Sequence, residues 1–228
     1  MTKLFSVEEQ SYEIISGLDE RSLLEIERVA RVCTKTEHLI KDGSDKKLVR
    51  KLLTHAHMSP IEFGFDITVK FNVDRGLSHE LVRHRLCSHQ QKSQRYVDDG
   101  GNLIFIKPFP CSQDVIGDWE KLDRPIDMKD YTWLHHCFEV ARSYKKLRHD
   151  GWPPQYARSV LSNAVKTELF TKTNIRDWIN IFDLRCSNKA HPQLYPLMRN
   201  ILKDFKEAIP VVFNDVYYKY FGIDAFGN

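Results

Sequence analysis

From Phe63 to Val73 the chain alternates without interruption. Phe63, Phe65, Ile67, Val69, Phe71 and Val73 fall on one side, and Gly64, Asp66, Thr68, Lys70 and Asn72 on the other. A two-residue period of this kind demands a strand with one buried face. Asp74-Arg75-Gly76 breaks it. A second strand is predicted from Leu103 to Ile106, after the turn signal Asp98-Asp99-Gly100-Gly101-Asn102 and before Pro108 and Pro110.

Most other apolar spacing is helical. Leu18 to Cys33 reads as a helix with Asp19 as N-cap, and residues 34–45 as a loop. Ser44 starts another helix to about His57, with Leu48, Val49, Leu52 and Leu53 on one face. Ser78 caps a short helix through the Arg83 region, with Leu77, Leu81, Val82 and Leu86 facing inward. Tyr131 to His149 forms a helix closed by Gly151. Pro153 opens one through about Phe170. Thr173 caps the next, which shows Ile175, Trp178, Ile179 and Phe182 on one face. A last amphipathic segment runs from about Pro192 to Tyr220. No repeat and no linker rich in Gly, Ser or Pro divides the chain. The expectation is one α+β domain over residues 1–228, mostly helical.

With 228 residues, 42% of them hydrophobic and 29% charged, the chain has the make-up of an ordinary globular protein. Its net charge of +3 is too small to make nucleic acid the default partner. No apolar run approaches the roughly 20 residues of a membrane span, and the N-terminus lacks a signal-peptide core. Cys33, Cys87, Cys111, Cys137 and Cys186 are odd in number and widely spaced. They read as packed or half-exposed thiols in a reducing, cytoplasmic setting. His55 with His57, and His84 with Cys87 and His89, lack the carboxylate or second cluster of a convincing zinc set, so no metal is expected. His135-His136 reads as helix surface, and Trp133, Trp152 and Trp178 as core.

Residues 83–96, RHRLCSHQQKSQRY, are more unusual. Arginine, histidine, serine, glutamine and tyrosine crowd together, and no acid occurs between Glu80 and Asp98. So much polar surface cannot be buried without partners. An acid-free cluster of Arg, Ser and Gln suits an anionic ligand that accepts hydrogen bonds.

Arg83-His84-Arg85, then seven residues, then Ser93 resembles the signature of the flavin-dependent thymidylate synthases. Gln90, Arg95 and Tyr96 fit its usual surroundings. His55-Ala56-His57-Met58-Ser59-Pro60-Ile61-Glu62-Phe63 is similar to the family's His-x-x-x-Pro-x-Glu segment. Ala157-Arg158, Asn174-Ile175-Arg176, Asn180 and Asp183-Leu184-Arg185 follow in the family's order, so the likeness covers most of residues 28–213. The resemblance implies a small, mainly antiparallel sheet packed by several helices, and reductive methylation of dUMP to dTMP. Methylenetetrahydrofolate would donate the carbon, reduced FAD the hydride, and NADPH would reduce the flavin. It also implies a homotetramer whose active sites are shared between subunits.

The same resemblance assigns roles to residues. Arg185 would be the catalytic group, stabilising charge on the pyrimidine ring as it develops. Glu80, Leu81, Val82, Arg83, Gln91, Lys92, Ser93, Gln94, Arg95 and Arg158 would join Arg185 in binding dUMP, with Arg95 and Arg158 at the phosphate. Ser59, Arg83, His84, Arg85, Gln91, Asn174, Ile175, Arg176 and Asn180 would hold FAD. No Gly-x-Gly-x-x-Gly loop is present, so a Rossmann mode of binding is not expected. His57, Glu62 and Tyr96 would lie on the folate and flavin side. The chain departs from the common pattern at Gln91 (often Glu), Glu80 (sometimes Gln), Phe63 (often His), Cys33 (often Ser) and Lys189-Ala190-His191. Pro110-Cys111-Ser112 lacks the histidine of the unrelated flavin-free synthases, so Cys111 reads as a loop thiol. Two alternatives remain at this point: a non-catalytic nucleotide- or nucleic-acid-binding module, and an assembly protein whose basic face meets an acidic partner.

Overall fold

The computed structural model describes residues 4–99, 102–118 and 126–222. The chain condenses into two compact units, both built from discontinuous segments. The first comprises Met1–Ser11, Phe71–Arg83 and His89–Phe170; the second comprises Tyr12–Lys70, His84–Ser88 and Thr171–Asn228.

Strands β1 (Phe5–Glu8), β5 (Leu103–Ile106) and β6 (Gly117–Asp118) make a three-stranded sheet in the first unit, ordered β5-β1-β6. β1 and β5 pair in parallel, with Phe5 opposite Leu103 and Glu8 opposite Ile106, and β6 is antiparallel to β1. Helix α4 (Met128–His149) begins where the Asp127 side chain accepts a hydrogen bond from the backbone N–H of Lys129 at 2.7 Å. It buries Leu134, Cys137, Ala141 and Tyr144, a spacing of three and four residues that gives one apolar stripe. Those side chains share a core with Phe5, Val7, Phe105, Ala157 and Val165. Phe5 meets Phe105 edge-on, centroids 5.5 Å apart.

The second unit contains α1 (Ser22–Val32), α2 (Ser44–Thr54), α6 (Ile175–Arg185), α7 (Leu194–Ala208) and α8 (Pro210–Phe221). Its centre is a set of tilted and edge-on aromatics. Trp178, Phe205 and Phe213 pack around Phe182, with centroids 5.1–6.0 Å apart. Trp178 is fully buried, and its indole N–H donates to the carbonyl of Ile67 at 3.1 Å, leaving no buried donor without a partner there. A Cβ on Gly64 would lie 2.5 Å from Ile175 Cδ1, so any side chain there would force the fully buried Ile175 to shift.

A four-stranded sheet has the order β2-β3-β7-β4, formed by β2 (Ser11–Ser16), β3 (Ile67–Asp74), β7 (Lys166–Thr173) and β4 (Ser88–Gln91). Ile67, Val69, Phe71 and Val73 are fully buried while the residues between them are half-buried, as the alternation requires. The strand starts later than predicted. Pro60–Phe63 forms a 3-10 turn with proline near its start, and Phe63 is exposed.

The fold class is α+β, as expected, but several local readings are corrected. Residues predicted as a helix from Pro153 to Phe170 instead form α5 (Pro154–Ala157), a 3-10 turn and β7. Thr167, Leu169, Thr171 and Thr173 are buried at every second position, a strand period that the helical reading missed. β1 and β2, in the unassigned first residues, and β4, behind the Arg-His-Arg segment, were not foreseen. The helix ahead of that segment is α3 (Arg75–Leu81), and Asp74, not Ser78, caps it by accepting from Leu77 N–H at 2.7 Å. The turn after α3 leaves Leu86 exposed rather than inward. Neither Asp19, Ser44 nor Thr173 is an N-cap; Asn174 caps α6 by accepting from Asp177 N–H at 3.0 Å. Ile181, not Ile179, is buried on α6. The last amphipathic segment splits into α7 and α8 at Ile209-Pro210, where proline removes a helical donor. Trp178 is core and Trp133 is packed against the first unit's core, but Trp152 is exposed. Gly100-Gly101 of the predicted turn lies outside the described residues; beside it, Asn102 N–H bonds to Asp99 O at 3.2 Å.

Candidate active site

The Arg-His-Arg segment spans the boundary between the units, Arg83 closing a segment of the first and His84 and Arg85 opening one of the second. The predicted site residues are therefore described unit by unit.

In the first unit, Glu80 and Leu81 end α3, followed by Val82 and Arg83; Leu81 is buried and Arg83 exposed. β4 brings Gln91 back beside α3. The Gln91 amide donates to Ser78 Oγ at 2.7 Å and to Thr167 Oγ1 at 3.2 Å, so its orientation is set from inside the unit. Lys92 Nζ pairs with Asp99 at 2.6 Å, and Lys92 N–H donates to the carbonyl of Glu168 at 2.9 Å. Both anchors hold the start of the Ser93–Tyr96 turn. Ser93 Oγ accepts from Arg95 N–H at 3.2 Å, and Ser93 O from Val97 N–H at 3.1 Å. Arg95 and Tyr96 are exposed, with the guanidinium carbon 5.4 Å from the ring centroid. Arg158 is exposed in the 3-10 turn that follows α5, and Gln94 is half-buried.

In the second unit, Arg185 is the last residue of α6, where its cation complements the helix C-terminus. Its Nε–H donates to His84 Nε2 at 2.9 Å. That ring nitrogen is then an acceptor, which places the imidazole proton on Nδ1. The sequence showed both residues; only the fold reveals this contact. Arg85 is exposed, and so are His57, Ser59 and Asn180. Glu62 pairs with Arg176. Asn174 serves as the cap of α6, and Ile175 is fully buried beneath Gly64.

The structure also adds a residue that the sequence reading passed over as a strand breaker. Arg75, the first residue of α3, is half-buried, and its guanidinium titrates below the usual arginine range. Burial is the main cause and the Arg158 guanidinium the second.

None of the five cysteines is in a disulfide. Burial pushes the Cys87 and Cys111 thiols up to about 11 and Cys186 to about 12, so these three stay protonated near neutrality and are poor nucleophiles. Among the described residues no group of three His, Cys, Asp or Glu could hold a metal ion, and no helix is long and apolar enough to cross a membrane.

Comparison with known proteins gives the family. A family model described as thymidylate synthase complementing protein matches residues 18–211. The flavin-dependent thymidylate synthase of Geobacter sulfurreducens is 33% identical over 168 residues, which cover 72% of this chain and 66% of that protein, just under two thirds of its length. The flavin-dependent thymidylate synthase of Clostridium tetani is 29% identical over 195 residues, covering 78% and 74%. Among solved structures, the UMP/dUMP methylase PolB from Streptomyces cacaoi, bound with 5-Br dUMP, superposes with a TM-score of 0.71. That likeness covers 96% of this chain and 98% of the other at 17% identity, and it speaks for the fold. The Arg83–Tyr96 segment, Arg158 and Arg185 all lie inside the matched range, and the chain belongs to the flavin-dependent thymidylate synthase family.

Proposed function

We propose that this chain methylates dUMP to dTMP, with FAD as its cofactor, methylenetetrahydrofolate as carbon donor and NADPH as reductant. It works as one functional domain over residues 1–228 in a homotetramer. Support for the single domain comes from the family match at 18–211, which includes segments of both compact units. The observation that carries the chemistry is the set of site arginines without acids. Arg83, Arg85, Arg95 and Arg158 form no ion pair with a carboxylate among the described residues, although Arg21, Arg28, Arg50 and Arg142 elsewhere on the surface do.

Such a donor set fits both ligands. Arg95 and Arg158, with Ser93, offer forked and neutral donors to a nucleotide phosphate. Arg83, Arg85 and the Nδ1–H of His84 offer donors to FAD, aided by Asn180 and Ser59. When bound, FAD supplies the hydride. Arg185 faces the N3 and O2 edge of the pyrimidine in this reading and stabilises negative charge as C5 becomes nucleophilic. His84 positions Arg185 by accepting from Nε. His57, Glu62 and Tyr96 sit on the folate side. No enzyme thiol is needed, in keeping with protonated cysteines at 87, 111 and 186.

An absorbance spectrum tests the proposal. Purified protein is expected to be yellow, to bleach with NADPH without oxygen, and to change its flavin bands when dUMP is added. A colourless protein that binds single-stranded DNA with steep salt dependence would point to a nucleic-acid module instead.

A further inference from the structure

We propose that the basic cavity beside α2 holds the γ-linked oligoglutamate tail of the folate co-substrate, so that the protein favours polyglutamylated folates over the monoglutamate. The inference rests on the folate reading above and deepens it. Every residue it uses belongs to the second unit.

A cavity of about 610 Å³ lies between the loop that follows α1 and the start and outer face of α2. Lys41 lines it from the loop, and Lys47 and Lys51 line it from α2. Lys47 and Lys51 are four residues apart, so they stand on the same side of the helix, one turn above the other. Leu39, Ile40 and Leu48 add apolar wall. The rim is fixed by hydrogen bonds. Lys41 N–H donates to Ser44 Oγ at 3.0 Å, and Ser44 N–H to Lys41 O at 3.0 Å. Ser44 in turn bonds the buried Glu27. The loop is thus tied to the start of α2 and to α1 beneath it.

The charges around the cavity are unbalanced. Arg31 lines it too, but Glu27 pairs with that guanidinium at 2.7 Å. Asp42 is the single acid among the lining residues. Among the described residues no carboxylate forms an ion pair with Lys41, Lys47 or Lys51. Lys46 on the same helix does find one, pairing with Glu20 at 2.8 Å. Three unpaired cations and one acid call for an anion from outside. With Arg31 already committed, the cavity offers no fork for a phosphate. It offers flexible point charges, which suit carboxylates on a flexible chain, and apolar side chains for the methylenes between them.

Position identifies that chain. The carbonyl of Lys51 accepts from His55 Nδ1–H at 2.8 Å. The His55 and His57 rings are nearly parallel, with 11° between their planes and centroids 6.1 Å apart. His57 N–H donates to Leu52 O at 2.9 Å, which folds the proposed folate-side histidine back onto the last turn of α2. The cavity therefore runs along the same helix that carries this histidine at its end. A folate seated at His57 can pass its tail along α2. Each added γ-linked glutamate brings one more carboxylate, and the lysines recur at one helical turn to receive them.

The test measures thymidylate formation by wild-type holoenzyme and by the double variant Lys47→Gln/Lys51→Gln, with methylenetetrahydrofolate carrying one or three glutamates. In wild type the triglutamate is expected to show a KM about three- to tenfold below that of the monoglutamate, an advantage that shrinks as salt rises. The double variant should lose this advantage while its kcat and its KM for the monoglutamate stay within about twofold of wild type. Equal KM values for the two folates in wild type overturn the proposal. So does a preference that survives in the double variant, or an equal rise in KM for both folates, which would show a structural role. Failure of the underlying reading looks different: wild type would form no thymidylate from either folate. A fluorescent γ-linked triglutamate then decides. Binding to wild type and not to the double variant keeps the tail site; no binding, or equal binding to both, overturns it.

Discussion

Arg31 and Arg158 carry the same charge in opposite surroundings. Arg31, on α1 in the second unit, is 11% exposed and lies against the fully buried carboxylate of Glu27, which it meets through Nε and Nη2 at 2.8 and 2.7 Å. Ser44 donates to the other oxygen of Glu27 at 2.9 Å, so that buried acid has partners on both oxygens. Arg158, in the first unit, is exposed, its charge acts on Arg75, and it forms no ion pair with a carboxylate among the described residues. An arginine that serves the fold comes with its counter-ion. Arg83, Arg85, Arg95 and Arg158 have no such counter-ion among the described residues and in the proposed reading the ligand completes the pairing, whereas Arg176 already pairs with Glu62.

The comparison can be broken from either side. The largest effect is expected at Glu27→Ala, which strands a nearly buried cation and should lower unfolding free energy by about 3–5 kcal/mol in urea titrations. A loss below about 1 kcal/mol would mean that Arg31 relaxes into water and that the pair is not structural. Next comes Arg185→Ala. Thymidylate formation should fall about 100- to 1,000-fold while flavin stays bound, since the residue acts on developing charge. Retained turnover would remove Arg185 from the mechanism.

Arg95→Ala is expected to weaken dUMP binding by about 2 kcal/mol with little change in unfolding midpoint, and the lost affinity should shrink as salt rises. A lowered midpoint with unchanged affinity would place Arg95 among the structural arginines. The smallest change is expected at Arg50→Ala. Its pair with Asp215 at 2.8 Å is solvent-exposed, so stability should drop by less than about 1 kcal/mol in the same titration, with no effect on dUMP.

Much of the proposed site follows from the chain because its chemistry is linear. Arg83 to Tyr96 is a mostly polar run without acids, and its Arg-His-Arg, seven residues, Ser spacing resembles the family's signature. β3 was legible because one buried face imposes a strict period. β7 was not. Lys166–Thr173 buries Thr167, Leu169, Thr171 and Thr173, a face that is mostly threonine, while Leu169 and Phe170 stand side by side, so the apolar pattern alone shows no clear two-residue period there. Burial at positions 167, 169, 171 and 173 puts those four side chains on one face of the strand. Asn174 as cap in place of Thr173 was a one-residue error of the kind local propensity cannot settle, because both side chains can accept from a helix N-terminus.

By itself, the amino-acid order determined the family, the α+β class and which polar residues could meet an anion, since each is written in short-range pattern and fixed spacing. Tertiary structure decided the rest: that His84 accepts from Arg185, that Gln91 is anchored by Ser78 and Thr167, and that the Arg158 charge acts on the half-buried Arg75. These partners are separated in sequence by 101, 13 and 76 residues in the first two cases. Electrostatic and hydrogen-bonding roles depend on distances of a few ångströms in space, and only folding sets those distances.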